Sequence, residues 1–431
     1  MSTAAPAPDA PAPRRRRWPI LLLVLAIAGL VLALSVRVLL PPERALQLAL
    51  DRLGPALGLD ITFDGDVDYR LRGTPQLEVR NVVARMPGES TPVLRADRVL
   101  LSLPWATIRS RGADLQITRV ELDAPTLHLP TLLRWLDARP PGDGRMPPFT
   151  DGVRIRNGRV DAEGWHVEAF ALDVPALYPD RALGARVAGT AITGDVRAPF
   201  RLQVQADRVV DMRTLAADGT VTLRVPSGRL DTRLRLDATR TDPRASGLHL
   251  APLRIAADAH WRARATSIPF AFGLQGRLAF DAGRLALAPV GIATRAQGMA
   301  PTLAAGGSIT FDDALQLALD GHIAHWPEAW PALPAPLSDS DAPLPFALRY
   351  IGPAGFDAPL ALRIEHAGAR FDGHARLPAV LHWLDAIDSG SPVPPLQGRL
   401  TAERLEIPGA VLEGLQIDFE DGSIQDDGSA P

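Results

Sequence analysis

Between residues 60 and 419 the chain alternates apolar and polar side chains with a period of two, and this constrains the fold more than any other feature. Phe200-Arg-Leu-Gln-Val-Gln-Ala alternates cleanly, as do Val221-Thr-Leu-Arg-Val and Leu230-Asp-Thr-Arg-Leu-Arg-Leu. Leu315-Gln-Leu-Ala-Leu-Asp and Leu360-Ala-Leu-Arg-Ile-Glu repeat the pattern. Successive side chains of a strand point to opposite faces, so each segment has one apolar face and one Arg/Asp/Gln/Thr face. Such strands belong to an antiparallel sheet wetted on one side. Asn157-Gly158, Ser227-Gly228, Ala282-Gly283 and Gly306-Gly307 read as the turns between them. In Leu115-Gln-Ile-Thr-Arg-Val-Glu-Leu the apolar set changes phase across Arg119, which predicts a β-bulge there. The spacing predicts on the order of twenty strands, which in one ladder would extend about 90 Å. An open sheet of that size must curl or fold on itself.

The N-terminus has a different character. A Pro/Ala-rich tail ends in Arg14 to Arg17, after which Trp18 to Val36 runs apolar without a charge. As a helix this run is roughly 28 Å long, the thickness of a bilayer core. The arginines predict a cytoplasmic N-terminus, with the body on the far side of an inner, or plasma, membrane. The alternative is a cleaved signal peptide with Ala33-Leu34-Ser35 as a poor site. The expected organisation is a disordered, Arg-ended cytoplasmic tail over 1–17, an anchor over 18–40 and a periplasmic β-body over 41–325. A Pro-rich loop over 326–345, a second β-part over 346–419 and an acidic disordered tail over 420–431 follow.

Few helices are expected. Leu46, Leu50, Leu53 and Leu57 predict an amphipathic helix over Glu43 to Leu59, capping one end of the body. Trp105 to Arg109, after Pro104, is a short candidate. Pro130-Thr-Leu-Leu-Arg-Trp-Leu-Asp-Ala138 and Pro378-Ala-Val-Leu-His-Trp-Leu-Asp-Ala386 share six of nine positions. Each copy follows a strand ending in Leu, and each precedes a Pro-rich linker and a strand turning through Gly-Arg. They predict two plug helices at the ends of the sheet, with Pro in the first turn.

The chain carries few residues in patterns that point to chemistry. The chain has no cysteine, which excludes disulfides and thiolate sites. Its basic residues are all arginine, so lysine Schiff bases and a P-loop lysine are absent. A net charge of −3 gives no electrostatic case for nucleic acid. His322 and His325 lack the ligand context of a zinc site. Asp64, Asp66 and Asp68 alternate as in a calcium loop, but Tyr69 replaces the required Gly and Pro75 the bidentate Glu. They fit a solvated strand edge instead. No nucleophile elbow, phosphate loop or dinucleotide fingerprint is present. The residues therefore point to no catalytic group, no metal and no cofactor, although a carboxylate pair brought together in space stays open. Leu77, Val79, Leu202, Val204, Leu223, Val225, Leu317, Leu319, Leu362 and Ile364 point inward. They form either a filled core or a face left open for acyl chains.

Several stretches taken in order resemble the AsmA-type family of Gram-negative envelope proteins. They are the anchor, the Leu-rich helix, Gly73-Thr-Pro-Gln-Leu-Glu-Val-Arg-Asn-Val and Leu94-Arg-Ala-Asp-Arg-Val-Leu-Leu-Ser-Leu-Pro-Trp. Leu115-Gln-Ile-Thr-Arg-Val-Glu-Leu-Asp-Ala-Pro, Ile155-Arg-Asn-Gly-Arg-Val and the Leu396 to Ala410 stretch complete the set. The usual Asn-Trp after the first plug helix is missing. The resemblance implies a mainly β, taco-like groove behind an N-terminal transmembrane helix, with roles in outer-membrane homeostasis and phospholipid transfer. Membrane phospholipid, the inner membrane and outer-membrane or envelope proteins are the implied partners. On this reading charges at Val204 or Val225 would abolish lipid co-purification while leaving the fold intact. The alternatives are an envelope scaffold similar to the N component of type II secretion and a membrane-anchored hydrolase.

Overall fold

Alternating sequence becomes strand along the whole body. The computed structural model describes residues 58–420 apart from internal stretches, the longest being 106–117, 139–147, 328–341 and 386–394. The expected anchor, the helices expected over Glu43 to Leu59 and Trp105 to Arg109, and the acidic tail lie essentially outside the described residues, as does most of the Pro-rich loop. Among the described residues no helix is long and apolar enough to cross a membrane.

The described strands form one sheet of 22. At one edge β1 (Asp60–Phe63) and β2 (Val67–Arg70) both pair with β3 (Gln76–Arg85). β3 pairs with β4 (Pro92–Ser102), and β4 with the short strands β5 (Arg119–Asp123) and β6 (Thr126–His128). Helix α1 (Leu129–Asp137) then leads back to β7 (Val153–Asp161). The ladder continues through β8 (His166–Val174), β9 (Leu183–Thr193), β10 (Val196–Ala206), β11 (Thr214–Val225) and β12 (Gly228–Arg240). Next come β13 (Leu248–Arg262), β14 (Ser267–Asp281), β15 (Arg284–Ala296), β16 (Thr302–Phe311) and β17 (Leu315–His325). β18 (Leu344–Gly352), β19 (Leu360–His366), β20 (Ala369–Ala375), helix α2 (Leu377–Asp385), β21 (Gln397–Ile407) and β22 (Ala410–Phe419) complete it. From β7 onward each strand is antiparallel to the next, including β17 with β18 across the Pro-rich segment.

The structure corrects three sequence expectations. The sheet is not antiparallel throughout, because β5 and β6 both run parallel to β7. A parallel pair needs a crossover, and α1 with the segment after it supplies one. Asn157-Gly158 and Gly306-Gly307 are not turns but lie within β7 and β16. Asn157 adopts φ 52° beside two register shifts, so the dipeptide forms a bulge rather than a hairpin. At Gly307 a Cβ would fall 1.9 Å from the Ala318 carbonyl oxygen, so glycine permits close backbone approach. Likewise Gly398-Arg399 lies inside β21. Asp64 and Asp66 sit between β1 and β2 rather than along one strand with Asp68, and all three are exposed. The bulge expected at Arg119 falls where β5 starts, and Leu115 to Ile117 before it lie outside the described residues. Bulges do preserve the inward phase elsewhere: Leu250 and Leu253 are three apart, yet 3% and 1% exposed, with a register shift between them. Ser227-Gly228 and Ala282-Gly283 do mark hairpins, between β11 and β12 and between β14 and β15.

The sheet curls. A Cβ on Gly355, in the β18–β19 loop, would lie 3.7 Å from Val196 Cγ2 in the first residue of β10. Eight strand steps separate these elements, about 38 Å if the sheet were flat. Twist of roughly −20° per strand accumulates over those steps and brings opposite rims together.

Candidate functional site

The cross-strand register joins the apolar sides of the strands into continuous rows. One row runs Ala185–Val204–Ala217–Leu236–Ile255–Leu274–Ile292 from β9 to β15. It continues Ala305–Gly321–Phe346–Ile364–Phe371–Leu400–Ile417 to β22, without one polar side chain. At strand spacing this is about 60 Å of contour. A second row enters from the other edge as Val67–Val79–Val99–Leu122–Ile155–Leu172. It passes through Val187, Leu202, Gly219, Leu234, Ala257 and Phe272, meeting its first polar residue at Thr294.

All ten residues singled out in the sequence lie on this one face, but in two environments. Leu77 and Val79 are 4% and 1% exposed. They pack with Val99, Leu101, Val120, Leu122 and Phe149 in a filled core spanning β3 to β9. Leu202, Leu223, Val225, Leu317, Leu362 and Ile364 are only half-buried, with Leu319 deeper at 9%. Val204 stands at the boundary, half-buried but packed against the filled core. From β11 onward the larger side chains of the face are mostly half-buried, and the clusters there join only ladder neighbours. The face is thus core at one end and open floor at the other.

Two devices close parts of the face. Helix α1 buries Leu132 and Trp135 to 3% and 2% against Leu59, Ala84, Val93 and Leu94, as a plug should. Helix α2, its sequence echo, leaves Trp383 half-buried, so the two copies do not plug equally. The β18–β19 loop forms a strap: Tyr350, 1% exposed, donates its hydroxyl to the Pro353 carbonyl at 2.6 Å and stacks 4.9 Å from Phe356.

The opposite face is charged, and much of that charge is internally paired. Arg363, Asp372, Arg399 and Asp418 are successive cross-strand partners. Arg363 Nε lies 2.5 Å from Asp372, and Arg399 Nε 2.6 Å from Asp418. Arg363 and then Arg370 hold the Asp372 carboxyl below its ordinary value of 3.8, and Arg399 does the same for Asp418. On β4 to β9, Glu121 lies within 3.8 Å of Arg98, Arg119 and Arg154. Glu121 is buried among its three arginines, whereas the exposed pairs of β19 to β22 stabilise little individually and give the outer face a solvated surface of mixed charge. Two hollows of about 660 and 640 Å³ also open on this face, between Gln205, Asp237 and Arg254 and between Asp218, Arg233 and Asp258. They are relief between side chains standing off the sheet. His322 and His325 are both exposed, and among the described residues no His/Asp/Glu cluster has the geometry of a metal site.

The open floor also contains residues that the sequence reading passed over. Phe270 and Phe272 lie on it with ring centroids 6.3 Å apart, beside Ile255, Leu274 and Trp261. Their period-two spacing in Phe270-Ala-Phe-Gly-Leu was the available signal. No family model, curated protein or solved structure matches this chain.

Proposed function

We propose that this protein holds acyl chains along the open part of its apolar face, as a lipid-handling envelope protein of the AsmA type. The observation that carries this reading is the unbroken apolar row from Ala185 to Ile417, most of it only half-buried. A filled core needs no continuity across so many strands. A surface along which an amphiphile slides does, because each methylene leaving apolar contact costs about 0.8 kcal/mol. The mechanism is passive: tails lie on the floor while headgroups stay in water at the rim. On this reading residues 18–40 anchor the body in the inner membrane, and lipid passes between that membrane and the outer one.

The test is mass spectrometry of lipid retained by the full chain purified in a mild detergent. Stoichiometric phospholipid, crosslinked to photoreactive residues placed at Leu274 or Ile364, is the expected result. A lipid-free protein whose crosslinks go only to other envelope proteins would refute the groove and favour a scaffold.

A further inference from the structure

The outer face is charge-balanced along β18 to β22, where arginine alternates with aspartate, but not along β10 to β13. There the register sets Arg197 opposite Arg224, Arg224 opposite Arg229, and Arg229 opposite Arg262. All four are exposed and lie in one row beside the hairpin turns at a single rim, spanning about 14 Å. Like charges directly opposite one another destabilise a sheet, so such a row calls for a counter-anion. One carboxylate answers it. Asp231 Oδ2 accepts from Arg229 at 3.0 Å and from Arg262 at 2.5 Å. Its Oδ1 accepts the Thr222 hydroxyl at 3.0 Å, and Arg262 also contacts His260 Nδ1 at 3.1 Å. Arg197 and Arg224 have no carboxylate partner among the described residues. Asp195 and Arg264, both exposed in the flanking turns, offset each other.

The inner lip of the same rim is apolar. Leu223, Leu230, Trp261 and Ile268 are cross-strand partners on the floor side of the same strands. The Trp261 ring packs over Gly228, where a Cβ would come 2.7 Å from Cζ2. Its Nε1 is buried without a hydrogen-bond partner among the described residues, and the indole is held by apolar contact. One sheet thickness separates a cationic outer lip from an aromatic inner lip.

We propose that the β10–β13 rim binds the phosphodiester headgroup of an anionic phospholipid whose tails lie on the adjoining floor. This rests on the groove reading above and adds the ligand class. Arg197 and Arg224 supply charge-assisted hydrogen bonds to phosphate oxygens, the bidentate recognition to which guanidinium is suited.

The experiment loads the full chain with acyl-labelled phosphatidylglycerol or with diacylglycerol, which has the same tails and no headgroup. The parent is compared with Arg197→Gln/Arg224→Gln and with Arg277→Gln/Arg295→Gln, which removes equal charge from the outer face elsewhere. The parent and the second double variant are expected to prefer phosphatidylglycerol by about tenfold. The first double variant is expected to lose that preference, with diacylglycerol loading and circular dichroism unchanged. A first double variant that keeps the parent's preference, or a parent that loads both lipids equally, overturns the rim and leaves the groove standing. A parent that loads neither lipid overturns the groove and the rim with it. Inorganic phosphate titrated alone separates the two sources of this chemistry. Submillimolar binding lost in the first double variant assigns the row to a free anion and overturns the lipid assignment; weaker binding supports the lipid.

Discussion

The sharpest test of the open floor is a charge at Leu234. This half-buried side chain lies between Gly219 and Ala257 on the row that ends at Thr294, and it belongs to none of the buried clusters. A glutamate there keeps its hydration shell and withdraws its own strand and one on each side from apolar use, about 14 Å of floor. An extended chain advances about 1.3 Å per bond, so roughly ten methylenes lose their contact. At about 0.8 kcal/mol each the upper bound is near 8 kcal/mol. If bending saves half of it, about 4 kcal/mol is left, on the order of a thousandfold in retention. The cost to the fold is far smaller, about 1 kcal/mol, because a half-buried leucine forfeits only part of its transfer energy. Leu234→Met serves as the volume-conserving control. Lipid per protein by mass spectrometry, with near-parental thermal unfolding, is the assay. A folded Leu234→Glu protein retaining the parent's lipid would refute the reasoning. Val204 is a poorer site for this test, because a charge there also disrupts the filled core against which it packs.

The two plug helices should differ in mutational cost. Trp135→Ala is expected to destabilise by about 3–5 kcal/mol, and Trp383→Ala by about 1 kcal/mol, read as shifts in urea midpoint; equal shifts would contradict their unequal burial. Gly307→Ala forces a Cβ onto the Ala318 carbonyl and should raise hydrogen exchange across β16 and β17, whereas Gly283→Ala meets no neighbour, strains only its own β14–β15 turn at φ 90° and should leave that pairing intact. The folded pKa of Asp372 lies below its unfolded value, so its contribution is present above about pH 4 and lost as pH falls through the lowered value. Asp372→Asn should therefore lower the urea midpoint more at pH 7 than at acid pH, and an equal loss at both would contradict the ion-pair account.

The faces of the strands were legible because period two is a local property. Phe200 to Ala206 can satisfy its backbone in a sheet and hide its apolar side in only one way, and the register confirms that single side across the body. The plug helices were legible to within a residue, since Pro in a first turn and Leu/Trp spacing are also local. Asn157-Gly158 misled because the conformation that closes a hairpin also makes a bulge, and only the partner strand distinguishes them. Leu77 and Leu362 look alike in sequence, yet one is sealed and the other half-open.

What the sequence determined by itself was the alternation, and with it a one-sided sheet too long to stay flat. What the tertiary structure decided was everything that depends on which strands meet. The parallel joint at β7, the strap that reaches Val196, the boundary between filled core and open floor, and the row from Arg197 to Arg262 all belong to this class. Each arises from the pairing register and accumulated twist of strands far apart in the chain, which no local pattern encodes.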